Sequence, residues 1–126
     1  MALNDQIRVL SVDDHPLMRD AIAEVINYEP NMLLVAQASN GREAIERFRE
    51  HRPDVTLMDF RLPDMSGIEA TIAIRTEFPE ARIIILTAFG ADTDEQRALA
   101  AGASAFVLKS APPRKLVEAI HQVHVG

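Results

Sequence analysis

The sequence contains no cysteine. Disulfide frameworks, thiolate catalysis and cysteine-ligated metals are therefore excluded for this chain. No apolar run approaches the ~20 residues of a membrane span, and no signal-peptide pattern opens the chain. A cytoplasmic protein with no membrane partner is the expectation. Positive charge is also scarce: 13 Lys and Arg stand against 19 Asp and Glu among 126 residues, a formal net charge of −6. Nucleic-acid binding through phosphates needs a basic face, so the chain is not expected to hold DNA by itself. Lysine is rarer still, confined to Lys109 and Lys115. No low-complexity segment, repeat or internal linker interrupts residues 1–126, which read as one domain.

What is present is ordinary globular composition, with 48% hydrophobic and 25% charged residues. The opening MALNDQ reads as a short polar start. Ile7 to Val12 is an aliphatic run. Pro16 suits a first helical turn, and Leu17, Ala21, Ile22 and Val25 recur at helical spacing to about Tyr28. Met32 to Ala38 reads as a second strand. Asn40 looks like a helix N-cap, with Glu43 placed as in a capping box. Val55 to Met58 is a strand ending in Asp59. RLPDMSG is loop chemistry, followed by a helix from about Ser66 to Phe78. ARIIILTAFG is the strongest strand signal. Ala91 to Ala101 is helical but alanine-rich, with Leu99 as its one large aliphatic anchor. SAFVLKS is a fifth strand, and Pro113 to about His124 a last helix. Five strand–helix repeats with near-continuous aliphatic strands imply an α/β fold around a parallel sheet covered on both faces.

The unusual polar residues fall at strand ends. The first strand runs into Asp13 and Asp14, the third ends in Asp59, the fourth in Thr87 and the fifth in Lys109. Open α/β sheets bind ligands outside the carboxyl ends of their strands. If the first and third strands are neighbours, three carboxylates share one crevice and repel one another. A hard dication answers that repulsion, and Mg²⁺ accepts a few carboxylates while keeping sites open for water and phosphate oxygens. Asp59 can act as a nucleophile and form an aspartyl phosphate. Lys109 and the Thr87 hydroxyl then support the phosphoryl oxygens. A lone Asp-Asp can simply cap a helix; the joint pattern at four strand ends points to a phosphoryl site. His15, His51, His121 and His124 lack a convincing ligand spacing and read as surface residues. Asp54 and Asp64 read as turn or cap residues.

The motifs VDDHPLMRD, LMDFRLPDMSGIEA, IIILTA and AGASAFVLKSAPPRKLVEAI together resemble a response-regulator receiver domain of bacterial two-component systems. The phrasing around DDHPLMR and FVLKSAPPRKLVEAIHQVHVG is similar to the NarL/LuxR type. The resemblance implies a flavodoxin-like, doubly wound (βα)5 fold with strand order 2-1-3-4-5. It implies that a sensor histidine kinase delivers phosphate to Asp59, and that the domain is a phosphoacceptor and not an enzyme. Asp14 would bind Mg²⁺ directly, Asp13 largely through water, and Asp59 and the Arg61 backbone carbonyl would complete the protein ligands. Thr87 and Phe106 match the coupled switch pair, and Lys109 the phosphate-contacting lysine. Phe106 stands where a tyrosine is usual. Arg61 and Phe89 would flank the path of hydrolytic water, with Phe89 as a shield. Weak, phosphorylation-favoured homodimers would form through the first and last helices. A helix-turn-helix output domain, absent from this chain, would make the contact with DNA in transcription regulation. The alternative is a stand-alone receiver acting in a phosphorelay or through protein contacts.

Two other readings share parts of this pattern. A flavodoxin-like FMN binder needs a hydroxyl- and glycine-rich phosphate loop where this chain has acidic DDHP. A Mg²⁺-dependent phosphatase needs an acid/base aspartate two residues past its nucleophile, where this chain has Arg61.

Overall fold

The computed structural model describes residues 6–126. The first five residues of the polar start lie outside that range. Five strands alternate with five helices in the order β1 (Ile7–Val12), α1 (Pro16–Tyr28), β2 (Met32–Ala38), α2 (Gly41–His51), β3 (Val55–Asp59), α3 (Gly67–Glu77), β4 (Ile83–Thr87), α4 (Asp92–Ala100), β5 (Ala105–Leu108) and α5 (Pro113–Val125). The strands form one parallel sheet in the order β2-β1-β3-β4-β5. This is the doubly wound, flavodoxin-like topology expected from the sequence.

Aliphatic runs without polar alternation belong in strands covered on both faces. All five residues of β4 are buried. Its Ile83 and Ile85 join Leu10, Phe48, Met58 and Ile74 in the core beneath α2, α3 and α4. Its Ile84 and Leu86 join Val9, Ile26, Leu57 and Ile120 in the core beneath α1 and α5. Each such side chain contributes about 1.5–3 kcal/mol relative to staying exposed, so the central strands are the firmest part of the molecule. At the β2 edge the ladder slips: Val9 pairs with Leu34 but Leu10 with Ala36. The extra residue is a bulge, a common device at sheet edges; nothing in the aliphatic run announced it.

The helix starts show how side chains satisfy the orphaned N–H groups of a first turn. α3 has a full capping box. Ser66 Oγ accepts from the Glu69 N–H at 3.0 Å, and the Glu69 carboxylate accepts from the Ser66 N–H at 2.9 Å. At α2 the expected box is only half formed. Asn40 accepts from the Glu43 N–H at 2.8 Å. The Glu43 carboxylate reaches one residue further back, to the N–H and hydroxyl of Ser39. Asp64, from the β3–α3 loop, accepts from the N–H groups of Gly41 and Arg42, and so ties that loop to α2.

α4 departs from expectation. Leu99, read as its anchor, is 47% exposed, and Ala98 is the one buried residue of the helix. Small side chains hold this helix to the sheet, so little apolar area fastens it.

Gly67 couples α3 to the strand that ends in Asp59. A Cβ at this position would collide with the Asp59 carbonyl oxygen, and the Gly67 N–H donates to the Phe60 carbonyl at 2.8 Å. Gly67→Ala is expected to force these segments apart at a cost of about 1–3 kcal/mol. Urea denaturation checks this; an unchanged midpoint would contradict the close approach.

Candidate functional site

Four strand ends meet at the carboxyl edge of the sheet. Asp13 follows β1, Asp59 ends β3, Thr87 ends β4 and Lys109 follows β5. Asp13, Asp59 and Thr87 are buried polar residues. The Lys109 ammonium is their cation. Its Nζ donates to Asp13 Oδ2 at 2.8 Å and lies 3.2 Å from Asp59 Oδ1. The β4–β5 ladder delivers it there: the Lys109 N–H donates to the Thr87 carbonyl at 2.7 Å.

The other Asp13 oxygen, Oδ1, accepts from the His15 N–H at 2.9 Å. The His15 ring closes on the same edge, with Nδ1 3.0 Å from Asp13 Oδ1 and 3.1 Å from Asp14 Oδ1. Arg19, one turn into α1, donates through Nη1 to the Asp13 carbonyl at 2.7 Å. The Asp13 N–H donates to the Ala38 carbonyl, so the acidic loop is pinned from β2 and from α1. The Arg61 N–H donates to Asp59 Oδ1 at 3.3 Å. Asp13, Asp14, His15 and Asp59 each offer one ligand atom, and these atoms all lie within 4.8 Å of one another.

A cavity of about 130 Å³ opens beside Asp59, lined also by His15, Arg61, Thr87, Ala88 and Lys109. The Thr87 hydroxyl is engaged by its own loop. It donates to the Phe89 carbonyl at 2.9 Å and accepts from the Phe89 N–H at 3.3 Å. Phe106 does not line the cavity; it packs edge-on against Phe60, with centroids 6.5 Å apart.

Two like charges about 4 Å apart repel by about 4 kcal/mol at an effective dielectric of 20, and the ionisation of the site reflects this. Burial, and then the neighbouring Asp13 charge, hold the Asp59 carboxyl above its usual range. Burial also pushes Asp13 upward, but the Lys109 hydrogen bond and the His15 N–H and ring outweigh it, and Asp13 ionises more readily than usual. Burial works against the Lys109 charge, yet the Asp13 hydrogen bond and the two carboxylate charges raise its pKa. Two adjacent aspartates are thereby driven apart, the pattern that assigns separate roles to paired carboxylates.

A family model described as the response regulator receiver domain matches residues 9–121. The chain belongs to that family. The response regulator VraR of Staphylococcus aureus is 34% identical over 120 residues, which are 95% of this chain and 57% of VraR. This receiver thus spans little more than half the length of the curated relatives it matches. A LuxR-family two-component response regulator from an Aurantimonas species is 40% identical with a TM-score of 0.93, covering 96% of this chain and 86% of that one. A DNA-binding response regulator of the LuxR family from Staphylococcus aureus is 27% identical with a TM-score of 0.87, covering 94% and 98%. Receivers are phosphoacceptors rather than catalysts that turn over, and the acidic cluster Asp13, Asp14 and Asp59 is typical of a receiver Mg²⁺ site.

The structure gathers Asp13, Asp14, Asp59, Thr87 and Lys109 as the strand-end argument requires. One expectation needs correction, and two residues were missed. His15 is exposed but not a bystander, because its ring closes on both adjacent carboxylates; its place directly after DD was the available signal. Phe89 lines the same cavity as Asp59 and is 81% exposed. Arg19 and Asp94 were missed. Arg19 anchors the acidic loop, and Asp94, in the first turn of α4, lines the cavity. Helical spacing pairs Arg19 with His15, whose carbonyl accepts the Arg19 N–H, but nothing in the sequence marks Asp94.

The sign of the pH dependence follows from Asp59. Its folded pKa lies above the ordinary 3.8, so the folded state holds that proton more tightly and the ionised form costs stability once pH exceeds the raised value. Asp59→Asn is expected to raise the metal-free melting temperature by about 2 °C or more at pH 7. The gain should shrink as pH falls through the raised pKa toward 3.8. Thermal melts of both proteins across this range check it; a variant no more stable than wild type at pH 7 would contradict it.

Proposed function

We propose that Asp59 accepts a phosphoryl group from a sensor histidine kinase in the cytoplasm, and that the domain's altered surface then controls a DNA-binding, helix-turn-helix output domain in transcription regulation. The observation that carries this reading is the Lys109 ammonium, held between Asp13 and Asp59 at the mouth of a cavity that Thr87 also lines. A nucleophilic carboxylate, a mobile cation and a hydroxyl donor converge where a phosphoryl group would sit. The output domain rests on the greater length of the curated relatives and on the LuxR-family relative described as DNA-binding.

The residues fit a hard dication. Three carboxylates lie within reach of a common ion, and oxygen donors with open positions suit Mg²⁺. Asp14 and Asp59 would hold it directly, Asp13 largely through water, and the Arg61 backbone carbonyl would complete the protein ligands. When bound, Mg²⁺ supplies positive charge to the phosphoryl oxygens. The rest is done by the chain. An Asp59 carboxylate oxygen attacks phosphorus, the bond to the kinase histidine nitrogen breaks, and an acyl phosphate remains on Asp59. Lys109 shifts from the carboxylates to a phosphoryl oxygen. Thr87 releases the Phe89 carbonyl and donates its hydroxyl to another. The space behind Thr87 opens toward β5, and Phe106 turns into it. α4, with its small buried face, is the element that yields.

Assembly follows from a different surface. Leu17 and Tyr28 on α1 are 85% exposed. Val25 and Tyr28 of α1 and Pro113 and Val117 of α5 line a shared apolar groove. This face supports weak homodimers favoured by phosphorylation.

Three measurements test the reading. Incubation with Mg²⁺ and a small phosphodonor should add one phosphoryl mass to wild type and none to Asp59→Asn. Thr87→Ala should still label, yet lose most of the change in amide exchange at α4 that beryllofluoride and Mg²⁺ produce in wild type. Labelling of Asp59→Asn, or a Thr87→Ala response equal to wild type, would overturn the respective part. Sedimentation should show dimers strengthened by beryllofluoride and weakened by Val117→Glu. One monomeric species in both states at high concentration would contradict the dimer.

A further inference from the structure

We propose that the pocket between α1 and the start of α5 is a binding site for a small, uncharged aromatic molecule, and that its occupant acts on Asp13 and Asp59 through the Lys109 side chain. This pocket shares only Lys109 with the Asp59 cavity, and its use requires no phosphoryl transfer.

The pocket measures about 190 Å³. An engineered apolar cavity of ~150 Å³ binds benzene, so one ring or a small fused pair fits here. Three of its lining residues, Ile22, Leu86 and Leu116, are buried members of the core beneath α1 and α5. They back the pocket with the firm part of the molecule, so its shape is preformed. Ala21 of α1 and Ala111 of the β5–α5 loop line it with single methyl groups. Space remains between the two elements because these side chains are short.

The polar groups around the pocket are already engaged. The Leu108 carbonyl accepts from the Ala111 N–H at 3.1 Å, and the Pro112 carbonyl from the Lys115 N–H at 2.8 Å. The Lys109 N–H donates to the Thr87 carbonyl. Pro112 and Pro113 carry no backbone N–H. Lys109 is the one charged residue in the lining, and its ammonium is held by Asp13 and Asp59. Burial of apolar surface is therefore the main gain on binding, and it selects an uncharged, weakly polar ligand. An anion would have to draw Lys109 off its carboxylates or enter unpaired, which is costly.

Lys109 joins this pocket to the carboxylates. With Nζ committed to Asp13 Oδ2 and Asp59 Oδ1, the side chain offers the pocket its hydrocarbon stem. A ring packed on that stem alters where the ammonium rests between the two acids. Occupancy of one space is then felt in the other, and the coupling is reciprocal.

The experiment is an NMR titration of the metal-free protein with indole, following methyl and aspartate carboxyl resonances. Wild type should bind saturably, with a Kd of ~1 mM or tighter. The largest methyl shifts should fall on Ile22, Leu86, Val107 and Leu116. The Asp13 and Asp59 carboxyl resonances should move with the same midpoint, while Asp64 stays still. Indole-3-acetate, the anionic counterpart, should bind at least about fivefold more weakly. Ala21→Phe, at an exposed position of α1, and Val25→Phe should fill the space and weaken indole at least about fivefold. No saturable binding, or shifts centred on Tyr28 and Val117 in the neighbouring groove, would overturn the site. Unchanged indole affinity in both variants would do the same. Equal or tighter binding of indole-3-acetate would overturn the ligand class. Saturation that leaves the Asp13 and Asp59 resonances unmoved would overturn the coupling.

Discussion

The structure depends on one ammonium group. Lys109 Nζ sits between Asp13 Oδ2 at 2.8 Å and Asp59 Oδ1 at 3.2 Å. The parallel sheet brings these carboxylates together, since β1 and β3 are hydrogen-bonded neighbours. Buried charges left unpaired are costly, and the pairing here is incomplete because one cation serves two acids. The remainder of the load falls on weaker devices: the His15 N–H and ring, the Arg61 N–H, and the Arg19 guanidinium on the Asp13 carbonyl. The site is stable enough to persist and unbalanced enough to welcome positive charge.

That imbalance is set in a rigid frame with one loose panel. β3 and β4 are buried along their whole lengths, and Gly67 holds the start of α3 against the Asp59 carbonyl. Asp59 therefore cannot drift. Across the cavity, Thr87 is engaged with its own loop, and α4 rests on Ala98. A change of charge at Asp59 is met by stiff strands on one side and a lightly held helix on the other. Motion follows the weaker side. Lysine suits this arrangement better than arginine, because a compact ammonium on a flexible stem can leave one set of oxygens for another.

The sequence was most legible where burial and chemistry coincide. IIILT and VTLMD read as two-sided strands because no polar residue interrupts their aliphatic core-facing positions, apart from Thr56, which is buried. The strand-end aspartates, Thr87 and Lys109 stood out because charge and hydroxyl groups are unusual where a buried strand stops. What escaped was decided by tertiary placement. The β2 bulge adjusts register at an edge. Leu99 faces solvent, and Ala98 faces the sheet, because the rotation of α4 is set by its docking against β5 and not by side-chain size. Asp94 enters the cavity only because the first turn of α4 folds over it. His15 was passed over as one scattered histidine among four; its meaning lies in the two carboxylates that precede it. The capping box at α2 slipped by one residue because Ser39 presents both an N–H and a hydroxyl to Glu43.

The central claim is that Lys109 keeps the Asp13–Asp59 pair ionised and in place. Carbon-detected NMR titration of the aspartate carboxyl groups in metal-free wild type and Lys109→Gln tests it most directly. The account predicts that losing the ammonium raises the titration midpoints of both Asp13 and Asp59, while Asp64, held by backbone N–H groups of α2, titrates as before. Unchanged midpoints for Asp13 and Asp59 would contradict it.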